Sequence, residues 1–202
     1  MPLVRSSAAA EDSAAVATID RTRLREDLES GDLDVRRAAV RLASRLGEAE
    51  LLVARLDDAS DAGMREALLT SLVRIGGVKA ARPLIQALRN ADAPLRNAVI
   101  ETLQSMGDAV VPEVEALLDD DCADLRIYAV NVLLSLRSAR VPEIALRVIA
   151  TDPHVNVCAA AVDVLAEVGG PEMVEALRAV SRRFPDQPYL AFAVRAAIKR
   201  IG

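Results

Sequence analysis

Apolar residues recur along this chain with the period of an α-helix, and the segment that carries them occurs five times. In Val35–Gly47, the positions Val35, Ala38, Ala39, Leu42 and Leu46 have the i, i+3, i+4, i+7 spacing of one buried helical face. The same grammar opens at Met64-Arg65, Leu95-Arg96, Leu125-Arg126 and Val157-Cys158, and closes at Gly76, Gly107, Arg137 and Gly169. The closing positions lie 29, 31, 30 and 32 residues apart, so one structural unit is being repeated.

Each unit predicts two helices. The amphipathic stripe is the second; a shorter first helix precedes it at Glu50–Leu56, Ala80–Leu88, Val111–Leu118, Pro142–Ile149 and Pro171–Val180. Asp32, Asp61, Asp92, Asp124 and Asp152 stand just upstream of the second helices, where a carboxylate caps free N–H groups. Glycine closes four of the five units, the expected left-handed C-terminal residue. Pro112, Pro142 and Pro171 suit helix starts, and Pro83 is placed in a first turn by the same logic. Ile19–Glu29 predicts an opening helix, and Pro188–Ile201 a closing one, for twelve helices in all. No run alternates with period two long enough for a sheet. A lone hairpin cannot bury both faces, so neighbouring hairpins must stack. The expected class is all-α, an α-α superhelix of about six hairpins: a repeat domain over 19–202 behind a flexible leader, 1–18.

The pattern of Asp, Val-Arg, Ala-Ala and Leu-Gly resembles the HEAT-like repeats of bacterial proteins and phycobilin lyases. Its clearest copies are DLDVRRAAVRLASRLG from Asp32 and DPHVNVCAAAVDVLAEVGG from Asp152, and the resemblance runs from Asp20 to Gly202. It implies second helices lining a concave side, but it does not by itself assign a function, because such repeats serve many.

Composition sharpens this picture. The chain is 52% apolar, mostly Ala, Leu and Val, with no Trp, two Phe and two Tyr. Its net charge is −5, with no basic excess in either half, which argues against nucleic acid and anionic membranes as partners. No apolar run approaches the ~18 residues of a membrane helix, and Met1–Thr18 lacks the core of a signal peptide. Two cysteines do not make a disulfide framework, so a cytoplasmic setting is expected.

Candidate chemistry is sparse. Arg36, Arg65, Arg96 and Arg126 form a column expected to act as a structural ladder, bonding carboxylates or carbonyls at the turns of neighbouring repeats. Cys158 takes the fifth place, in an apolar setting that makes a thiol inert, and Cys122 lies one repeat away. His154, the single histidine, is expected in a solvated turn. Asp119, Asp120 and Asp121 lack the glycine and terminal glutamate of a calcium loop. No phosphate-cradling loop and no nucleophile elbow occurs. No catalytic residue, metal or cofactor is therefore expected.

Surface columns of the second helices supply what remains. They run Arg37, Glu66, Asn97, Ile127, Ala159; then Arg41, Thr70, Glu101, Asn131, Asp163; then Ser44, Val73, Gln104, Leu134, Ala166. They turn mixed and apolar in the last two units. Ile127, Asn131, Leu134, Asp163 and Ala166, with Phe192 and Tyr189 at the rim, are expected to receive a partner protein. The leading expectation is a non-catalytic scaffold or adaptor binding through its groove, in a bacterial signalling pathway, and not an enzyme. The alternative is a phycobilin lyase-like chromophore-handling protein or lyase subunit, against which the scarcity of aromatic rings weighs. A DNA-repair glycosylase fits poorly with an acidic chain that lacks Trp.

Overall fold

The computed structural model describes residues 21–57 and 61–202. The expected leader and the first two residues of the opening helix, Ile19 and Asp20, lie outside these. Helix α1 spans 21–28 within the described residues, followed by α2 (Leu33–Leu46), α3 (Ala49–Val53), α4 (Ala62–Ile75), α5 (Gly77–Ala87) and α6 (Ala93–Ser105). Then come α7 (Val111–Leu117), α8 (Ala123–Leu133), α9 (Val141–Thr151), α10 (Val155–Val168), α11 (Val174–Arg183) and α12 (Pro188–Ile201). Short 3-10 turns at Gly107–Val110 and Pro171–Met173 lead into α7 and α11. The fold is all-α, of the α-α superhelix class, and no strand occurs among the described residues.

Two compact units divide the chain, one up to Ile75 and one over Gly76–Gly202. In the first, α2 packs on α3 and α4 around Leu24, Leu28, Val40, Ala43, Leu52, Leu68 and Leu72, all buried. In the second, α6, α8, α10 and α12 lie side by side as one layer, while α5 packs on α7, and α9 on α11, in the other. Val99, Leu103, Ala129, Leu133, Ala161, Leu165, Leu177 and Leu190 fill the space between the layers. Small residues on facing helices let the layers approach closely, and a fully buried leucine contributes ~1.5–3 kcal/mol.

The stripe predicted on α2 is only partly buried. Ala39, Val40 and Ala43 are covered, but Val35, Leu42 and Leu46 are 37%, 38% and 54% exposed. In register with Val35 and Leu42, the residues Met64 and Ser71 on α4, Leu125 and Val132 on α8, and Val157 and Val164 on α10 are buried. Each of those helices has a second helix before it in its layer. Among the described residues, α2 has none.

Capping follows the sequence in part. Asp32 caps α2, accepting the N–H groups of Asp34 at 2.8 Å and Val35 at 3.3 Å; Asp92 accepts from Leu95 at 2.9 Å, and Asp61 from Gly63 at 3.2 Å. Asp124 is no cap: α8 starts at Ala123, which places Asp124 inside the first turn behind the N-cap Cys122. Gly47 closes α2 at φ 71°, the left-handed conformation, but Gly169 closes α10 at φ −79°. Glycine is needed at 169 for space, since a Cβ there would stand 2.4 Å from the Leu165 carbonyl oxygen. Pro83 also departs from expectation. Helix α5 begins three residues before the predicted start, at Gly77, so Pro83 lies in its interior and removes the N–H that would bond the Lys79 carbonyl.

Candidate functional site

The arginine column is answered mainly by backbone. Arg36 donates to the Ser30 carbonyl, and Arg96 donates through Nη2 to the Ala91 carbonyl at 3.1 Å. Arg126 donates through Nη1 to the carbonyls of Asp120 at 2.8 Å and Asp121 at 3.2 Å. Each thus ties the start of its own second helix to the turn five or six residues before it. Arg96 also lies 5.0 Å from the ring centre of Tyr128, a cation–π contact. Arg65 is half-buried on α4. Arg126 also has a carboxylate in the next repeat as partner: Nε and Nη2 grip Asp152 at 2.7 and 3.1 Å. Burial would push the Asp152 carboxyl up. The Arg126 fork and the His154 N–H, at 2.8 Å, outweigh it and hold the group below its ordinary range.

The fifth unit solves the same problem with different atoms. Cys158 is buried, and its thiol donates to the Asp152 carbonyl at 3.4 Å; burial pushes its pKa up, so the thiol stays protonated and unreactive. The guanidinium that the column lacks here comes from Arg183 at the end of α11. It donates through Nη2 to the Asp152 carbonyl at 2.8 Å and through Nη1 to the Ile149 carbonyl. Sequence reasoning missed Arg183, because nothing local marks a residue that answers a turn 31 positions away. Cys122 is exposed, and His154 is half-buried at the start of α10 rather than solvated. Asp120 is engaged by Arg89 and by the Cys122 N–H at 2.9 Å. Among the described residues no group of three His, Cys, Asp or Glu side chains could hold a metal ion.

The expected partner surface is spread over α8, α10 and α12. Leu134 is 41% exposed and Phe192 68%; Asp163 is exposed, while Ile127, Asn131 and Ala166 are half-buried. The Asn131 carbonyl accepts from Gln104 Nε2 at 2.8 Å, which links α6 to α8. Tyr189 is exposed, and its hydroxyl donates to Asn156 Oδ1 at 2.6 Å, fixing the ring beside α10. Partial desolvation pushes the Asp163 carboxyl up.

A second feature was not singled out by sequence. On α2 and α4 of the first unit, a cleft of about 540 Å³ is lined by Ala38, Arg41, Ser44, Arg45 and Arg74. An adjoining hollow of about 320 Å³ shares Arg41 and Arg74 with it and adds Arg37, Glu66, Ala67 and Thr70 to the lining. Among the described residues, Arg37, Arg41, Arg45 and Arg74 have no ion-pair or hydrogen-bond partner. The spacing i, i+4, i+8 of Arg37, Arg41 and Arg45 was the available signal. Like charges so placed repel by ~0.2–0.5 kcal/mol per pair on a helix.

Comparison with known proteins adds the rest. A family model for HEAT repeats matches residues 21–104 and 49–130. The bilin biosynthesis protein PecE of Mastigocladus laminosus is 29% identical over 158 residues, which is 75% of this chain and 58% of that protein. The chain therefore spans less than two thirds of the length of this relative. The solved complex of CpcE and CpcF of phycocyanin lyase from Nostoc sp. PCC7120 aligns over 89% of this chain and 93% of that one, at 16% identity and a TM-score of 0.31. The PecE likeness overturns the expectation of a non-catalytic adaptor, and with it the expectation that the chain is no enzyme. It favours the chromophore-handling alternative. Few aromatic residues were a poor argument against that alternative, because the count says nothing of exposure: Tyr189 and Phe192 both face solvent. No helix among the described residues is long and apolar enough to cross a membrane.

Proposed function

This chain belongs to the HEAT-repeat family, and on that premise we propose that it is a bilin-handling protein of the phycobilin lyase type. The observation that carries the reading is the likeness to a bilin biosynthesis protein over three quarters of the chain. The chemistry present supports it. A linear tetrapyrrole is a flat apolar ligand with two carboxylates, and it asks for apolar contact together with fixed cationic donors. The chain supplies arginine for 23 of its 25 positive charges, and arginine suits carboxylates through its planar fork.

In this reading the face of Ile127, Asn131, Leu134, Asp163, Ala166 and Phe192 receives a protein, either the acceptor of the chromophore or a second lyase subunit. The exposure of Leu134 and Phe192 supports that assignment. The column Arg36, Arg65, Arg96 and Arg126 keeps a structural role.

The test is to incubate the full chain with phycocyanobilin and an apo-phycobiliprotein subunit, then follow absorbance and zinc-stained denaturing gels. A red-shifted complex is expected, with the chromophore carried over to the acceptor when the required second subunit is present. Leu134→Glu with Phe192→Glu should reduce the carry-over at least tenfold while leaving the bilin complex intact. The absence of both a spectral shift and a labelled acceptor would end the proposal.

A further inference from the structure

Most arginines of the second unit have a partner that those of the α2–α4 cleft lack among the described residues. Arg82 pairs with Glu113 at 3.1 Å, Arg147 with Glu115 at 3.2 Å, Arg182 with Glu175 at 2.7 Å and Arg126 with Asp152 at 2.7 Å. Arg37, Arg41, Arg45 and Arg74 have no such partner among the described residues, although acidic groups outnumber basic ones in the chain, 30 to 25. Among the described residues, Glu66 is the sole carboxylate of the cleft lining, against four guanidinium groups. Between the arginines the lining is small and weakly polar: Ala38, Val40, Gly63 and Ala67, with Ser44 and Thr70. Ser44 Oγ is turned to the Ser71 carbonyl at 3.3 Å, which leaves the guanidinium groups as the principal donors. Arg41 and Arg74 line both hollows, so the two form one trough with cations along it.

We infer that this trough anchors the two carboxylates of the tetrapyrrole, with the pyrrole rings over its small-residue floor. The inference rests on the bilin reading above and adds the place and the selectivity. Three observations carry it. The site gathers four cations without a partner among the described residues on two neighbouring helices, three of them at i, i+4, i+8 on α2, so an anion relieves a repulsion built into α2. Its cations are forked donors, suited to carboxylates. Its volume lies in the ~300–1,000 Å³ range of small-ligand sites. With Glu66 facing four guanidinium groups, one carboxylate leaves most of the trough's charge unanswered; a dianion with its charges on one edge answers two of the cations while its rings meet the alanine residues.

The experiment measures binding of biliverdin and of biliverdin dimethyl ester to the full chain by absorbance titration. Arg41→Ala/Arg74→Ala is compared with the wild type and with Arg195→Ala/Lys199→Ala, which removes two exposed cations from α12. The cleft arginines are exposed, so the variant should keep its helical circular-dichroism spectrum and its melting temperature. The expected result is that the Arg41/Arg74 variant binds biliverdin at least tenfold more weakly than wild type and the α12 variant. The ester should bind wild type with a similar deficit. Equal binding of diacid and ester, or undiminished binding by the Arg41/Arg74 variant, would overturn the trough assignment and leave the bilin reading standing. No binding of biliverdin by wild type would overturn both. Tighter binding of a short poly-glutamate, lost in the same variant, would reassign the trough to an acidic peptide and also overturn the inference.

Discussion

Arg126 and Asp152 are the pair on which most depends at the residue scale. Both side chains are nearly buried and joined by two hydrogen bonds, and Asp152 also accepts the His154 N–H, so neither group has water to fall back on. Removing one partner leaves a buried charge without an answer, which costs ~3–5 kcal/mol. Asp152→Asn should therefore lower stability by that order in urea unfolding at neutral pH. The pH dependence follows from the direction of the shift. Asp152 is held below its ordinary value of 3.8, so its contribution is complete above that value and is lost as pH falls through the lower, folded value. The gap between wild type and variant should close in acid. A gap that persisted unchanged there would mean that the carboxylate charge is not what matters.

At the scale of the element, α5 carries a defect that its sequence understates. Pro83 lacks the N–H that a helix interior needs, yet Ala80, Ala81 and Leu84 around it are fully buried, so packing holds the helix through the break. An interior proline costs ~3 kcal/mol. Pro83→Ala should raise stability by up to that amount, read as a higher midpoint in thermal or urea unfolding. Helix boundaries were legible where an independent signal marked them, as with Asp32 and Asp92 at N-caps and Gly47 at a left-handed C-cap. They were less so at α5, where Gly76 and Gly77, both with positive φ, begin a helix rather than merely ending one. Glycine marks a backbone that alanine resists, not which side of it the helix lies on.

Charge separates into two populations at the scale of the whole molecule. The pairs Arg82–Glu113 and Arg89–Asp120 each join residues 31 apart, and Arg200–Glu167 residues 33 apart, so they stitch successive repeats at equivalent positions. All three arginines are exposed, and water and salt screen such pairs so that they contribute little to stability. Burial of the apolar layers carries the fold instead. Raising ionic strength to about 0.5 M, where the screening length is well under 10 Å, should leave the melting temperature nearly unchanged. The same salt should weaken biliverdin binding severalfold, because attraction to the cleft arginines is unpaired and solvent-facing. Parallel losses of stability and binding would show instead that salt acts on the fold.

By itself the sequence determined the repeat, the helix count, the all-α class and the arginine column, because each rests on local periodicity: 3.6 residues per turn within a helix and about 30 per hairpin between them. Tertiary structure alone decided which members of those patterns are covered and what answers them. Val35 and Leu42 obey the same period as Met64 and Ser71 and stay exposed, for burial depends on a neighbouring helix that periodicity does not record. Arg183 reaches a turn 31 residues back, and Arg74 comes from α4 to join three arginines of α2 around one trough. A contact between distant segments is a property of how helices pack in three dimensions, and side-chain spacing along one helix carries no term for it.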